Sequence, residues 1–197
     1  AARLHDPFAY LGARIEQDQT VVRVFYPHAA NVWINIAGVF EPMARVHSGG
    51  VFEWYGTALP HMPYLLRIED CNATPAGIAY ETYDAYAFPP QISNHDLYLF
   101  NEGRLWQAYR TLGSHAIEVD GIAGVLFSVW APNAERVSVV GGFNRWDGRV
   151  HPMAVHGSSG VWELFIRGLP QDSRYKYELR NRNTGEILLK TVPYAAR

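Results

Sequence analysis

The sequence predicts an all-β protein: two tandem immunoglobulin-like β-sandwiches joined by a short helical connector. Three observations carry that expectation. First, apolar residues alternate with polar ones in short runs bounded by Pro and Gly, the signature of half-buried antiparallel strands. In Phe127 to Arg149, Phe127 and Val129 fall on one face and Ser128 and Trp130 on the other. Ala131-Pro132-Asn133-Ala134 breaks the run, Val137 and Val139 resume it, and Gly141-Gly142 ends it before Phe143-Asn144-Arg145-Trp146. Second, the stretch has a copy. Val24-Phe25-Tyr26-Pro27-His28-Ala29-Ala30-Asn31-Val32 follows the pattern of Val129 to Val137. Pro42-Met43, Gly50-Val51-Phe52-Glu53, Leu59-Pro60 and Tyr64-Leu65-Leu66-Arg67 then echo Pro152-Met153, Gly160-Val161-Trp162-Glu163, Leu169-Pro170 and Tyr175-Lys176-Tyr177-Glu178. A repeat this long exceeds a solenoid unit and has the size of a domain. Third, between the copies Leu97, Phe100, Trp106 and Tyr109 recur at helical spacing. The expected boundaries are 1–90 for the first sandwich, 91–112 for the connector and 113–197 for the second sandwich.

In order, strands are expected near Thr20 to Tyr26, Val32 to Ile36, Phe52 to Tyr55 and Tyr64 to Glu69. On the second of these, Val32, Ile34 and Ile36 face inward, and Trp33 and Asn35 outward. Asp70-Cys71-Asn72-Ala73 reads as a turn, and Tyr83 to Tyr86 ends the first domain. After Phe88-Pro89-Pro90, Ser93 and Asp96 fit a variant capping box. Gly103 is expected to split the connector into two short helices, with Trp106 and Tyr109 packed on a domain. Further strands are expected near Gly124 to Ala131, Arg136 to Val140, Val161 to Ile166, Tyr175 to Arg180 and Ile187 to Lys190. Asn183-Thr184-Gly185 is a hairpin turn signal, and Pro193-Tyr194-Ala195 repeats the end of the first domain.

With 48% hydrophobic and 18% charged residues, the 197-residue chain has the composition of a folded protein. A net charge of −2 supplies no basic field, so neither nucleic acid nor an anionic membrane is an expected partner. No apolar run reaches the ~20 residues of a bilayer span. Ala1-Ala2-Arg3-Leu4 does not read as a signal peptide, and the missing initial Met suggests a trimmed or truncated chain. Cys71 is the single cysteine, which fits a cytoplasmic location.

No catalytic set is visible. Glycoside chemistry needs two carboxylates across a cleft, whereas Asp120, Glu135, Asp147 and Asp172 fall at turns or on outer faces. The eight His are scattered, suit surface or turn positions and form no zinc pair. No nucleophile elbow or phosphate loop is present. Neither cofactor nor metal is expected. What remains is a display surface. Trp146 follows a strand in a loop tip beside Asn144, and Lys176 lies between Tyr175 and Tyr177, exposed if the tyrosines point inward. An aromatic plate with a charged donor suits a hydroxylated polymer, so Trp146, Lys176 and Asn144 are candidate carbohydrate contacts. Trp33, outward on its strand, offers a separate surface in the first domain.

Gly124 to Arg149, Asp96-Leu97-Tyr98-Leu99-Phe100-Asn101-Glu102-Gly103-Arg104-Leu105-Trp106, Gly160 to Phe165 and Tyr175-Lys176-Tyr177 together resemble the bacterial glycogen branching enzymes of glycoside hydrolase family 13. The connector motif is the most specific of these and argues against a debranching enzyme or a trehalohydrolase. The resemblance implies two N-terminal sandwiches ahead of a (β/α)8 barrel and a C-terminal β domain. The second sandwich would be a carbohydrate-binding module of family 48. The family forms α-1,6 branches in α-1,4-glucan through a covalent glycosyl-enzyme on an Asp, with a Glu as acid/base. Those residues sit on the barrel, so no catalytic residue is carried onto this chain.

The implied partners are α-1,4-glucan, glycogen or a maltooligosaccharide, and the intramolecular barrel. By the same resemblance, Trp146 matches the Trp after the GxFNxW motif, and Lys176 the Lys of the YKF-like strand. Thr184-Gly185-Glu186-Ile187-Leu188 lacks the second binding Trp of strong binders, which lowers the expected affinity. Gly142 and Val192 each replace an Asp usual in the family. The first domain has Gly38-Val39-Phe40-Glu41 in place of the FNRW tip and is expected to bind little sugar there. The alternative expectation is a mainly structural pair docking on the barrel, for which Phe25 and Trp130, outward at matching repeat positions, would form the interface.

Overall fold

The computed structural model describes residues 6–57, 60–71, 78–169 and 173–191. The turn expected at Asn72-Ala73, the repeat residues Leu59 and Pro170, Asp172, Val192 and Pro193-Tyr194-Ala195 lie outside them, as do Ala1 to His5. Phe8–Phe88 form one compact unit, and the chain from Pro89 onward forms another.

In the first unit, β1 (Gly12–Glu16), β2 (Gln19–Phe25), β5 (Ala44–His47) and β6 (Val51–Gly56) make one antiparallel sheet, ordered β1-β2-β6-β5. The strands β3 (Ala29–Ile36), β4 (Val39–Pro42), β7 (Leu65–Asp70) and β8 (Ala79–Tyr83) make the other, ordered β4-β3-β7-β8. Alternation determines what each strand buries. Val22 and Val24 from one sheet meet Val32, Ile34, Leu66 and Ile68 from the other, with Phe52, Trp54 and Tyr64 filling the space between. Beside this core, the Tyr64 hydroxyl donates to Asp84 at 2.5 Å, and burial pushes the Asp84 carboxyl up to about 6. Trp54 is anchored through its indole N–H to Glu41 at 2.8 Å.

The connector begins the second unit. The helix α1 (Asn94–Asn101) starts where the capping pattern placed it: the Asp96 N–H donates to Ser93 Oγ at 3.1 Å. It ends at Gly103, whose φ of +66° lies in the left-handed region. Instead of a second helix there is a single 3-10 turn, Ala108–Arg110. Because the helical period stops at Gly103, Trp106 and Tyr109 are not carried onto a packed face. Trp106 is 93% exposed and Tyr109 53% exposed, correcting the expectation that they pack on a domain.

Beyond the connector, β9 (Gly113–Val119), β10 (Ile122–Trp130), β12 (Ala154–Val155) and β13 (Val161–Arg167) form a sheet ordered β12-β13-β10-β9. A second sheet runs β11 (Ala134–Gly141), β14 (Tyr175–Asn181), β15 (Ile187–Lys190) in that order. The β14–β15 hairpin closes at Asn183-Thr184-Gly185, with the Asn181 N–H donating to Glu186 O at 2.9 Å. Phe127, Val137, Val139, Trp162, Leu164 and Tyr177 are among the buried residues of this sandwich.

Its outer face differs from expectation at Ser128. That side chain points away from Phe127, yet it is fully buried and its hydroxyl donates to Thr111 O. The connector is the cause. Ile92 and Leu112 pack on Val161, with Leu97 and Phe100 beside them. The Glu163 carboxylate accepts the backbone N–H groups of Gln91 at 2.6 Å and Ile92 at 2.9 Å. Trp130 is outward as expected, but Phe100 meets it edge-on at 6.0 Å and its indole N–H donates to Ser159 O. Phe25 is only partly exposed. No helix among the described residues is long and apolar enough to cross a membrane.

Candidate carbohydrate-binding surface

The loop after β11 is built to hold one aromatic ring outward. Gly142–Asn144 form a 3-10 turn, and Arg145 and Trp146 then take φ values of 57° and 60°. Two consecutive left-handed, non-glycine residues are strained and persist only where the surroundings fix them. The fixing group is Asn144. It is 5% exposed. Its Oδ1 accepts the Gly141 N–H at 2.9 Å, and its Nδ2 donates to Val139 O at 2.8 Å and faces His151 Nδ1 at 2.9 Å. The Trp146 N–H closes the loop on Gly141 O at 2.9 Å. Trp146 itself is 48% exposed.

Asn144, one of the sequence-derived sugar contacts, is therefore interior. Its polar atoms are engaged by the protein, and it acts on the surface only by shaping the loop. Lys176 is exposed on β14 because the tyrosine between the sheets, Tyr177, is fully buried. The β11–β14 register pairs Val140 with Lys176 and Gly141 with Tyr175. Trp146 hydrogen-bonds back to Gly141, so Trp146 and Lys176 lie at the same end of this ladder. The loop also folds over the outer face that carries Lys176: a side chain at Gly148 would collide with the Glu178 carboxylate, which pairs with Arg136 on that face. Neither the Lys176 ammonium nor the Trp146 indole N–H has a partner among the described residues. Arg149 closes the far side on Asp147 at 2.7 Å. Trp33 lies in the other unit.

His151 and His156 are where the sequence reading misplaced residues as surface histidines. His156 Nε2 lies 2.9 Å from Glu163, and both side chains are largely buried. His151 packs against Phe143, with ring centroids 5.7 Å apart, and burial holds its pKa down at about 4. No local motif announces either role, because both depend on partners supplied by other strands and turns.

The neutral imidazole accepts at Nδ1, whereas a proton there would set two donors against each other. Since the folded pKa is depressed below its ordinary value of ~6.5, this contribution is complete above ~pH 6.5 and is lost as pH falls towards 4. The loss is up to about 3 kcal/mol. Thermal melts from pH 7 to 4 should show this decline in the unsubstituted chain and a flatter profile in His151→Gln.

Comparison with known proteins matches each half of the chain to a family. Residues 1–86 match the family described as the alpha-1,4-glucan branching enzyme GlgB N-terminal domain, and residues 111–195 match carbohydrate-binding module 48 (isoamylase N-terminal domain). Trp146 and Lys176 fall in the second match, Trp33 in the first. The chain is similar to the 1,4-alpha-glucan branching enzyme GlgB of Nitrosospira multiformis, at 66% identity over 99% of this chain and 26% of that protein. It is 58% identical to that of Nitrosomonas europaea and 57% identical to that of Nitrosomonas eutropha, covering 98% and 100% of this chain and 26% of each relative. The chain thus spans about a quarter of the length of these curated relatives.

Proposed function

This chain belongs to the N-terminal region of the 1,4-alpha-glucan branching enzyme family, its second half being a carbohydrate-binding module 48, and on that footing we propose that it holds α-1,4-glucan for a catalytic barrel elsewhere in the whole protein. The whole protein would form α-1,6 branches; these two domains bind and position its substrate without catalysing the transfer. The observation that carries the reading is the Trp146 loop. A half-exposed indole with a free N–H is locked in a strained loop by buried hydrogen bonds, with an unpaired Lys176 at the same strand end. The ring offers a flat apolar face to pyranose C–H groups, and the indole N–H and ammonium offer donors to hydroxyls. A neutral polymer fits because the neighbouring charges pair with each other, Arg136 with Glu178 and Arg149 with Asp147.

Affinity electrophoresis in glycogen-containing gels tests this. Trp146→Ala should weaken retardation by about 10–30-fold, the loss typical of a binding hot spot, while leaving the melting temperature nearly unchanged. Retention of full retardation in that variant would sink the assignment of the loop.

A second reading is favoured by one observation. Tyr98, Trp106 and Tyr109 are all more than half exposed on or beside the connector. Exposed aromatics at this density suit docking against another part of the longer protein, so the pair would also support the barrel.

A further inference from the structure

The first sandwich carries a surface that the second one has covered. Repeat equivalence aligns Trp33 with Ser138 and Leu65 with Lys176. In the second sandwich Ser138 is fully buried, roofed by the loop that presses Gly148 towards Glu178. In the first, β3 and β4 are joined by the two-residue Ala37-Gly38 turn, so this connection does not roof the corresponding face, and Trp33 is partly exposed. Register sets what that face displays. Trp33 lies between Pro42 of β4 and Arg67 of β7, and Asn35 pairs with Phe40. Leu65 pairs with Tyr83 on β8.

These outward residues form a graded surface. The Arg67 guanidinium sits 3.9 Å from the centroid of Phe40 and bonds Glu81 at 2.8 Å. Asn31 is tied to Glu69 at 2.7 Å. At the turn end, the face sinks into a cavity of about 300 Å³ lined by Asn35, Gly38, His61, Leu65 and Tyr83 among others. That volume is at the lower bound of small-molecule pockets, ~300 Å³. Asn35 is oriented there because its Oδ1 accepts the Gly38 N–H at 2.9 Å. Its Nδ2 remains an unpaired donor among the described residues, and so does the Trp33 indole N–H. By contrast, Trp54, Trp130 and Trp162 spend theirs on protein acceptors.

We propose that this outer face of the β4-β3-β7-β8 sheet is a second α-1,4-glucan site. The chain lies across Trp33 and the Arg67–Phe40 stack, with one glucosyl ring seated in the cavity against Asn35, His61 and Tyr83. The choice of occupant follows from charge and shape. Arg67 is neutralised by Glu81 and no Lys or Arg is among the described residues that line the cavity, so an anionic ligand gains little. Ring faces alternating with fixed hydrogen-bonding groups match a neutral, hydroxyl-rich polymer. This runs counter to the expectation of little sugar binding at the position of the missing FNRW tip, where Phe40 lies, and builds on the separate surface expected at Trp33. The inference rests on the proposed glucan-handling role of the chain, while its site is separate from the Trp146 loop.

The test is titration calorimetry of the whole chain with maltoheptaose, on the unsubstituted protein, Trp33→Ala, Trp146→Ala and the double variant. Two binding events are expected. Trp33→Ala should weaken one about tenfold or more, Trp146→Ala the other, and the double variant both. Because Trp33→Ala could disturb the sheet, hydrogen exchange of the unsubstituted chain gives an independent readout: maltoheptaose should protect β3, β4 and β7. If Trp146→Ala removes all binding and maltoheptaose gives no protection in 29–42 and 65–70, the second site is overturned and the role of the Trp146 loop stands. If only Trp33→Ala loses binding, the Trp146 loop assignment fails and the second site stands. An absence of any binding overturns both.

Discussion

Asn144→Ala is expected to weaken glucan retardation as much as Trp146→Ala does and to destabilise the second sandwich, although Asn144 does not reach the surface. The substitution removes an acceptor from the Gly141 N–H and a donor from Val139 O and His151 Nδ1. Those partners are enclosed by the loop, and leaving enclosed polar groups unpaired costs about 1–3 kcal/mol each. With partial relaxation, a total loss of about 2–4 kcal/mol follows. The functional effect comes through backbone strain. Arg145 and Trp146 occupy the left-handed region at φ 57° and 60° only because the Asn144 bonds hold the turn before them. Without those bonds the loop relaxes and the indole loses its fixed orientation. The contrast with Trp146→Ala is the diagnostic. That variant should bind more weakly at unchanged melting temperature, whereas Asn144→Ala should both bind more weakly and melt lower. Asn144→Ala with normal glycogen retardation would mean that loop geometry does not matter for binding.

Glu163→Ala is expected to cost about 3–4 kcal/mol and to release the connector. The carboxylate is 4% exposed and accepts two backbone N–H groups at the start of the connector, with His156 Nε2 at 2.9 Å on its other side. Charge-assisted bonds of this kind are stronger than neutral ones. Removing the acceptor strands the Gln91 and Ile92 amides over Val161. Hydrogen exchange should report it directly: protection of Gln91 and Ile92 should fall sharply and α1 should exchange faster, with the β11–β14 ladder protected as before. Glu163→Gln keeps one acceptor oxygen and should lose roughly half as much. Unchanged exchange at residues 91–101 in Glu163→Ala would show that Ile92 and Leu112 hold the connector by packing alone.

Alternation and punctuation in the chain sufficed for the strands with strong apolar periods. The strand expected at Ile187 to Lys190 has those limits, and the inward sets at Val32, Ile34, Val137 and Val139 follow from period two alone. The Ser93 cap was equally legible, because a cap is a local arrangement of a side chain and its own backbone. The short edge strands β1, β4, β5, β8 and β12 carry weak or exposed patterns, and β5 is exposed throughout. Their strand character comes from pairing with a neighbour.

The sequence by itself therefore determined the all-β class, the tandem repeat and the outward placement of Trp33, Trp146 and Lys176, since each depends on local periodicity and turn chemistry. The interior role of Asn144, the clamp of Glu163 on the connector, the burial of Ser128 and the depressed His151 were decided only by tertiary structure. Each of these depends on a partner distant in sequence or on a covering segment, and a polar residue's own identity does not say whether its hydrogen bonds will go to water or to that partner.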